Sequence, residues 1–332
     1  MMRRAAMKLV GALALLVGVG VSQNASATEV IKIGTLAPKA SPWGQVFTVW
    51  EKAVKEKSNG AVELQFFYNG QQGDEGAMVG KMKAGQLDGA AVTAVGLGKI
   101  YKPISALQMP GLFTTWAKLD TARDAMKGEF EKGLNDAGFI SVGWGDVGAV
   151  HVMSKGFEIH SPDDIKGKKP YMWRDDVVQP ILYQVIGGVT PVPLNVPEVL
   201  PNLNTGAINL VNAPSLAAEQ LQWSSKLDTI TSDVSAMAIG ALVFSSKRID
   251  ALPADLKAIV VDTGKIAAGA LTRRIRSEDD AAYARMKGKM KVVDLTSDER
   301  AKWDGIFKAT RARLAQGTFD PGLVAKLEAL AR

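Results

Sequence analysis

From Glu29 onward, short runs of alternating apolar residues are followed by stretches of helical spacing, and after Trp144 the same series begins again. Glu29-Val-Ile-Lys-Ile-Gly34 reads as a first strand ending at a glycine. Val46, Phe47, Trp50 and Val54 then recur at helical spacing, and Ser58-Asn59-Gly60 is a stop signal. Ala61 to Tyr68 reads as a second strand with a turn at Asn69-Gly70. A helix around Glu75 to Ala84, a strand at Asp88 to Val92, a helical stretch from Trp116 to Ala137 and a strand at Phe139 to Trp144 continue the alternation. Such a pattern predicts an α/β protein with mostly parallel sheets, helices on both faces and ligands at the carboxyl ends of strands.

The second series places strands at Val150 to Met153, Lys169 to Trp173, Thr190 to Pro193 and Ala207 to Asn212, with helices at Val177 to Ile186, Pro197 to Leu203 and Ser215 to Trp223. Ala236 to Phe244 is apolar enough to return as a buried strand, and Ala254 to Lys289 reads as one long helix, with Gly264 and Gly269 as places to bend. A chain of 332 residues exceeds the size at which a single core usually splits. The expectation is a two-lobed clamshell with its pocket between the lobes. Lobe I takes residues 28–148 plus about 236–265, and lobe II takes 149–235 plus about 277–332. The long connecting helix spans about 254–289, and the C-terminal helical segment from Ala301 to Leu330 covers the second lobe.

Residues 1–27 read as a secretory signal peptide. Arg3, Arg4 and Lys8 start it, Leu9 to Val21 is its apolar run, and Ala25-Ser26-Ala27 is its small-residue cleavage site, with cleavage expected after Ala27. That run is short of the ~20 apolar residues needed to cross a bilayer as a helix. The expected location is therefore the periplasm. The chain has no cysteine, which excludes disulfides, thiolate nucleophiles and thiolate metal sites.

The leader holds three basic residues and no acidic one, so +3 of the formal +6 charge remains on the rest. No basic block is interleaved with aromatics, and nucleic acid is not an expected partner. The two histidines, His151 and His160, show no metal-binding spacing, and no nucleophile elbow, phosphate loop or dinucleotide fingerprint occurs. The chain is read as a non-enzyme without metal or cofactor.

Five stretches carry a resemblance: KIGTLAPKASPWGQ in the first strand and loop, NGQQGDE from Asn69, LQMPGLF from Leu107, SPDDIKGKK from Ser161 and VTPVPLNVPEVLPNLNTGAIN from Val189. In this order and behind a leader, they resemble the DctP-type solute-binding proteins of tripartite ATP-independent periplasmic (TRAP) transporters, over essentially the whole chain after the leader. The resemblance implies a two-lobed periplasmic receptor that closes over one small molecule and delivers it to small and large integral membrane subunits. A monomer is expected.

The family typically grips an organic acid with an arginine on the strand after the SPDDIKGKK-type loop, and that position falls on Tyr171. A second family arginine falls on Val150 within WGDVGAVH, and a family asparagine segment reads VNAP here, at Asn212 and Ala213. Neither tyrosine nor valine can replace a guanidinium's bidentate contact with a carboxylate. The expectation is therefore an aromatic wall of Tyr171 and Trp173 around a neutral or largely apolar ligand.

Two alternatives stay open. Arg174 supplies a displaced charge and the ligand is an organic acid, or the scaffold serves as a carrier of a lipid-like or aromatic molecule, or as a ligand-presenting sensor, without a permease. Tyr171 to Trp173 also fits a buried strand. Trp43, Thr93, Trp144, Asp146, Asn195 and Asn212 complete the candidate ligand-binding residues, with Asp146 open as a cleft anchor or a solvated hinge residue.

Overall fold

The computed structural model describes residues 28–332, so the expected leader and its cleavage after Ala27 lie outside the described residues. In β1 (Glu29–Thr35) Ile31 and Ile33 alternate onto the face that is buried, and α1 (Pro42–Lys57) lays Phe47, Trp50 and Val54 into the same core. Ser41 caps that helix by accepting from the Gly44 N–H, and Pro42 presets its first turn. The first series continues with β2 (Val62–Phe67), α2 (Glu75–Lys83), β3 (Gly89–Thr93), α3 (Ala94–Ile100), α4 (Trp116–Asp136) and β4 (Phe139–Trp144). β1 pairs in parallel with both β2 and β3.

Three residues after β4 the chain enters a different sheet as β5 (Gly148–Ser154). There follow β6 (Tyr171–Trp173), α5 (Gln179–Ile186), β7 (Val192–Leu194), α6 (Val196–Thr205), β8 (Leu210–Pro214), α7 (Ser215–Gln220), β9 (Thr229–Thr231) and β10 (Ala236–Ala238). The chain then returns as β11 (Gly240–Ser245), followed by α8 (Ser246–Asp250), α9 (Ala254–Lys287), β12 (Lys291–Val293), α10 (Ser297–Leu314) and α11 (Pro321–Leu330).

The sheets are mixed rather than mostly parallel. β8, β9 and β10 all run antiparallel to β5, and β11 lies antiparallel between β3 and β4. The cause is the return path: β4 leads out of the first lobe and β11 leads back, so two strands crossing one divide in opposite senses must oppose each other. The crossing segments are themselves joined, Gly145 N–H to Gly240 C=O at 2.8 Å and Val147 N–H to Ala238 C=O at 3.0 Å. Because β10 still pairs with β5, the return crossing lies at Ile239, not at 236.

The third connection is α9, a helix of 34 residues and about 50 Å. Its Val260, Ala268 and Leu271 pack in the first-lobe core and Met286 packs in the second. The C-terminal assignment needs correction. α10 places Trp303 and Phe307 among second-lobe residues, but its Leu314 joins the first-lobe core together with Leu323, Val324 and Leu327 of α11. At 1.5 Å per residue an 18-residue helix reaches about 27 Å, enough to carry the tail back across the divide. The last segment therefore covers the first lobe.

Gly148 opens β5 at φ +144, and a Cβ there would lie 2.4 Å from the carboxyl carbon of Asp279 in α9. That carboxylate is not free to move, since it accepts from Ala149 N and Leu216 N, each at 2.8 Å. Gly148→Ala is expected to lower the unfolding free energy by about 1–3 kcal/mol through backbone strain and displacement of Asp279. Urea denaturation checks it, and an unchanged midpoint would refute the crowding.

Candidate functional site

A cavity of about 820 Å³ lies between the two sheets. The first lobe contributes Thr35 at the end of β1, Trp43 at the start of α1, and Thr93 at the end of β3. The second contributes Val150 of β5, Tyr171 and Trp173 of β6, and Asn212 of β8. The lobes touch across it. Asp74 Oδ2 accepts from Trp173 Nε1 at 2.8 Å and from Val196 N at 3.3 Å, and Lys99 Nζ pairs with Asp175 Oδ1 at 2.7 Å. This is a closed arrangement of a hinged pair of lobes.

Of the ten residues expected around a ligand, six border this cavity: Trp43, Thr93, Val150, Tyr171, Trp173 and Asn212. Trp43 donates its Nε1–H to the Asp146 carbonyl at 3.3 Å, which fixes the ring. Thr93 is already committed, giving its N–H and hydroxyl to Glu75 at 2.8 and 2.9 Å. Tyr171 is 3% exposed and meets Trp223 edge-on at 5.8 Å. The two-residue strand period puts Tyr171 and Trp173 on the same face.

The other four stand elsewhere. Trp144 faces the back of the hinge, against Phe130 and the Arg123 guanidinium at 5.2 Å. Asp146 is fully buried there, its carboxylate 2.6 Å from Arg123 Nη1 and 2.8 Å from Arg276 Nε. It stands between the hinge strands fully buried, not solvated as expected, because two guanidinium groups replace water around its carboxylate. Arg174 has the opposite strand parity to Tyr171 and points outward to Glu198 at 3.1 Å. Asn195 caps α6, with Glu198 Oε2 reaching back to its N–H at 2.6 Å in a capping box.

The sequence reading missed Glu75, Asp176, Tyr183, Trp223, Trp303 and Phe307, all of which border the cavity. Glu75 is 1% exposed, and burial pushes its pKa up to about 8, opposed by N–H donors from Thr93 and Gly96. Burial thus favours its protonated form. Burial likewise raises Asp176, against backbone donors from Gln179 and Val178. His151 lies beside the site but serves structure: its Nδ1–H bonds Thr231 C=O at 2.9 Å, its ring stacks on Tyr283 at 4.3 Å, and burial holds its pKa down to about 4.

The basic groups bordering the cavity are Lys99, Lys102 and Arg300. Lys99 is paired with Asp175 and Arg300 with Asp233, while Lys102 makes no ion pair among the described residues.

Residues 33–316 match the profile of the bacterial extracellular solute-binding proteins, family 7. A solute-binding protein of Chromohalobacter salexigens is 26% identical over 203 residues, 61% of this chain and 60% of that relative's length. A C4-dicarboxylate-binding periplasmic protein of Rhodobacter capsulatus is 23% identical over 326 residues, 95% of this chain and 94% of its own. Among solved structures, a TRAP periplasmic solute-binding protein of Sulfurospirillum deleyianum with bound succinate superposes with a TM-score of 0.84 at 21% identity, over 92% of this chain and 99% of that one. A sugar-acid-binding protein of Advenella mimigardefordensis in complex with galactonate gives 0.85 at 18% identity, over 92% and 98%. These two share the two-lobed fold. Among the described residues no helix is long and apolar enough to cross a membrane. The chain belongs to the bacterial extracellular solute-binding protein family 7, as a DctP-type solute-binding protein of the TRAP transporter class.

Proposed function

We propose that this protein captures a small organic acid in the cleft between its lobes and hands it to the small and large membrane subunits of a TRAP transporter. The observation that carries the reading is the 820 Å³ cavity between lobes already joined through Asp74–Trp173 and Lys99–Asp175. Relatives of the same fold are described with bound carboxylates, succinate and galactonate among them. That supports the acid over the neutral ligand expected from Tyr171 and Val150. The acid's counter-charge is not Arg174, which is held outside the cavity by Glu198. Lys102 is the unpaired basic group at the border and the one we assign to the carboxylate, as a charge-assisted donor. The protein works as a monomer in the periplasm, exported by the leader at residues 1–27 with cleavage after Ala27.

The test is mass spectrometry of small molecules released from protein purified gently from the periplasm, followed by calorimetry with a panel of acids, each paired with its primary amide. Acids should bind at least about tenfold more tightly than their amides, and Lys102→Gln should remove most of that difference. Equal binding of acid and amide would return the reading to a neutral ligand.

A further inference from the structure

We infer that Tyr171 and Asn212 recognise a neutral hydrogen-bond donor on the ligand, a hydroxyl or N–H group, and that the ligand's carboxylate lies elsewhere in the cleft. The inference rests on capture in the cleft as proposed above and names the class of solute more closely: small acids that also carry a hydroxyl or amino group.

A short relay of hydrogen bonds fixes the chemistry. Tyr183 Oη lies 3.2 Å from the Tyr171 carbonyl, which can only accept, so the Tyr183 proton is committed there. The Asn212 side chain lies 3.2 Å from the same Oη through its Nδ2. With its proton committed, Tyr183 can only accept, so the amide must turn its NH2 toward Tyr183. Asn212 Oδ1 therefore faces away from the phenol, buried and without a hydrogen-bond partner among the described residues. The Tyr171 hydroxyl is in the same condition, on a side chain that is 97% buried. Both residues border the cavity, on strands brought side by side by the Pro170–Leu210 bridge.

One of these oxygens can only accept, and the other can donate or accept. A carboxylate has no proton for Asn212 Oδ1 and would set like partial charges against each other. A hydroxyl satisfies both at once, giving its proton to Oδ1 and accepting from Tyr171. Burial keeps the Tyr171 phenol protonated, and the ionisable groups that reach it are the acids Asp74, Asp176 and Glu75 with no cation among them, so a carboxylate finds no counter-ion there. Buried polar groups left unpaired are costly, which is why a site of this kind discriminates sharply against ligands lacking the donor.

The experiment is calorimetry on the full mature chain with matched pairs: 4-hydroxybutyrate and butyrate, 4-hydroxyphenylacetate and phenylacetate, 6-aminohexanoate and hexanoate. The donor-bearing member should bind at least about tenfold more tightly. Tyr171→Phe and Asn212→Leu should each shrink that preference to about threefold or less, and Tyr171→Phe should leave the melting of the ligand-free protein unchanged or raised. Plain acids binding as tightly as their partners, or variants that weaken both members equally, would overturn the inference. The neutral analogues 1,4-butanediol and 4-hydroxyphenylacetamide separate it from the acid reading: if they match the hydroxy acids, the acid reading fails and with it the acid part of the solute class named here, while donor recognition by Tyr171 and Asn212 stands. If nothing in the panel binds, both fall.

Discussion

Asp146→Ala should lower the unfolding free energy by about 3–5 kcal/mol while leaving the ligand affinity of the folded protein nearly unchanged. The carboxylate is fully buried behind the hinge and holds two arginines from different elements, Arg123 of α4 and Arg276 of α9. Asp120 bridges the same pair from the outside, at 2.5 Å to Arg123 and 2.7 Å to Arg276. The indole of Trp116 packs against the Arg276 guanidinium at 4.3 Å. Removing Asp146 leaves the buried Arg123 charge with only the half-exposed Asp120, and an uncompensated buried ion costs far more than an exposed pair contributes. Urea unfolding of the ligand-free protein measures the loss. An intact midpoint together with weakened ligand binding would instead make Asp146 the cleft anchor that the sequence left open.

Asp146 also marks where the sequence stops being readable. Its partner Arg276 lies 130 residues away, and nothing in WGDVGAVH announces that pairing. Local pattern does better. The alternation of strands and helices predicts the two α/β lobes, and β1, α1, β2 and β4 fall close to the stretches that their periodicity indicates. The sense of pairing is not local. β11 is antiparallel because of where the chain returns from, which apolar content alone does not encode.

The same contrast runs through the site. Strand parity separates Tyr171 and Trp173, which border the cavity, from Arg174, which does not, and that rule was available from four adjacent letters. Asn195 with Glu198 three residues on is a capping signature, and it outweighs a ligand role. Trp303 and Phe307 sit four apart on a helix, which sequence reads as a core stripe. Only the fold shows that their stripe also walls a cavity.

The stability of Glu75→Gln relative to the unmodified protein should be roughly 3–5 kcal/mol greater at pH 9 than near pH 4.5. In the unfolded chain the Glu75 proton leaves near the model-peptide value of 4.5, whereas burial in the folded protein holds it to about pH 8. Between those values the folded state binds the extra proton, so raising the pH through this window destabilises it, at a slope of at most about 1.4 kcal/mol per pH unit. Below the window both states are protonated and the residue contributes nothing to the pH dependence.

Asp74 and Asp176 are also raised by burial, and Asp279 is raised to about 6, so the whole-protein profile sums several such terms. The His151 term, from a pKa held near 4, acts in the opposite sense, destabilising the fold as pH falls below about 6.5. Subtracting the glutamine variant's profile isolates Glu75, because glutamine has no proton to lose: its one oxygen can keep the Thr93 hydroxyl and the Gly96 N–H that share Oε2, while its NH2 then faces the Thr93 N–H, a cost that is the same at every pH and leaves the slope untouched. Urea denaturation of both proteins from pH 4.5 to 9 provides the comparison. Parallel profiles across that range would mean that Glu75 is ionised in the folded protein, and the cavity would then hold a permanent negative charge that repels the very carboxylates proposed to enter it.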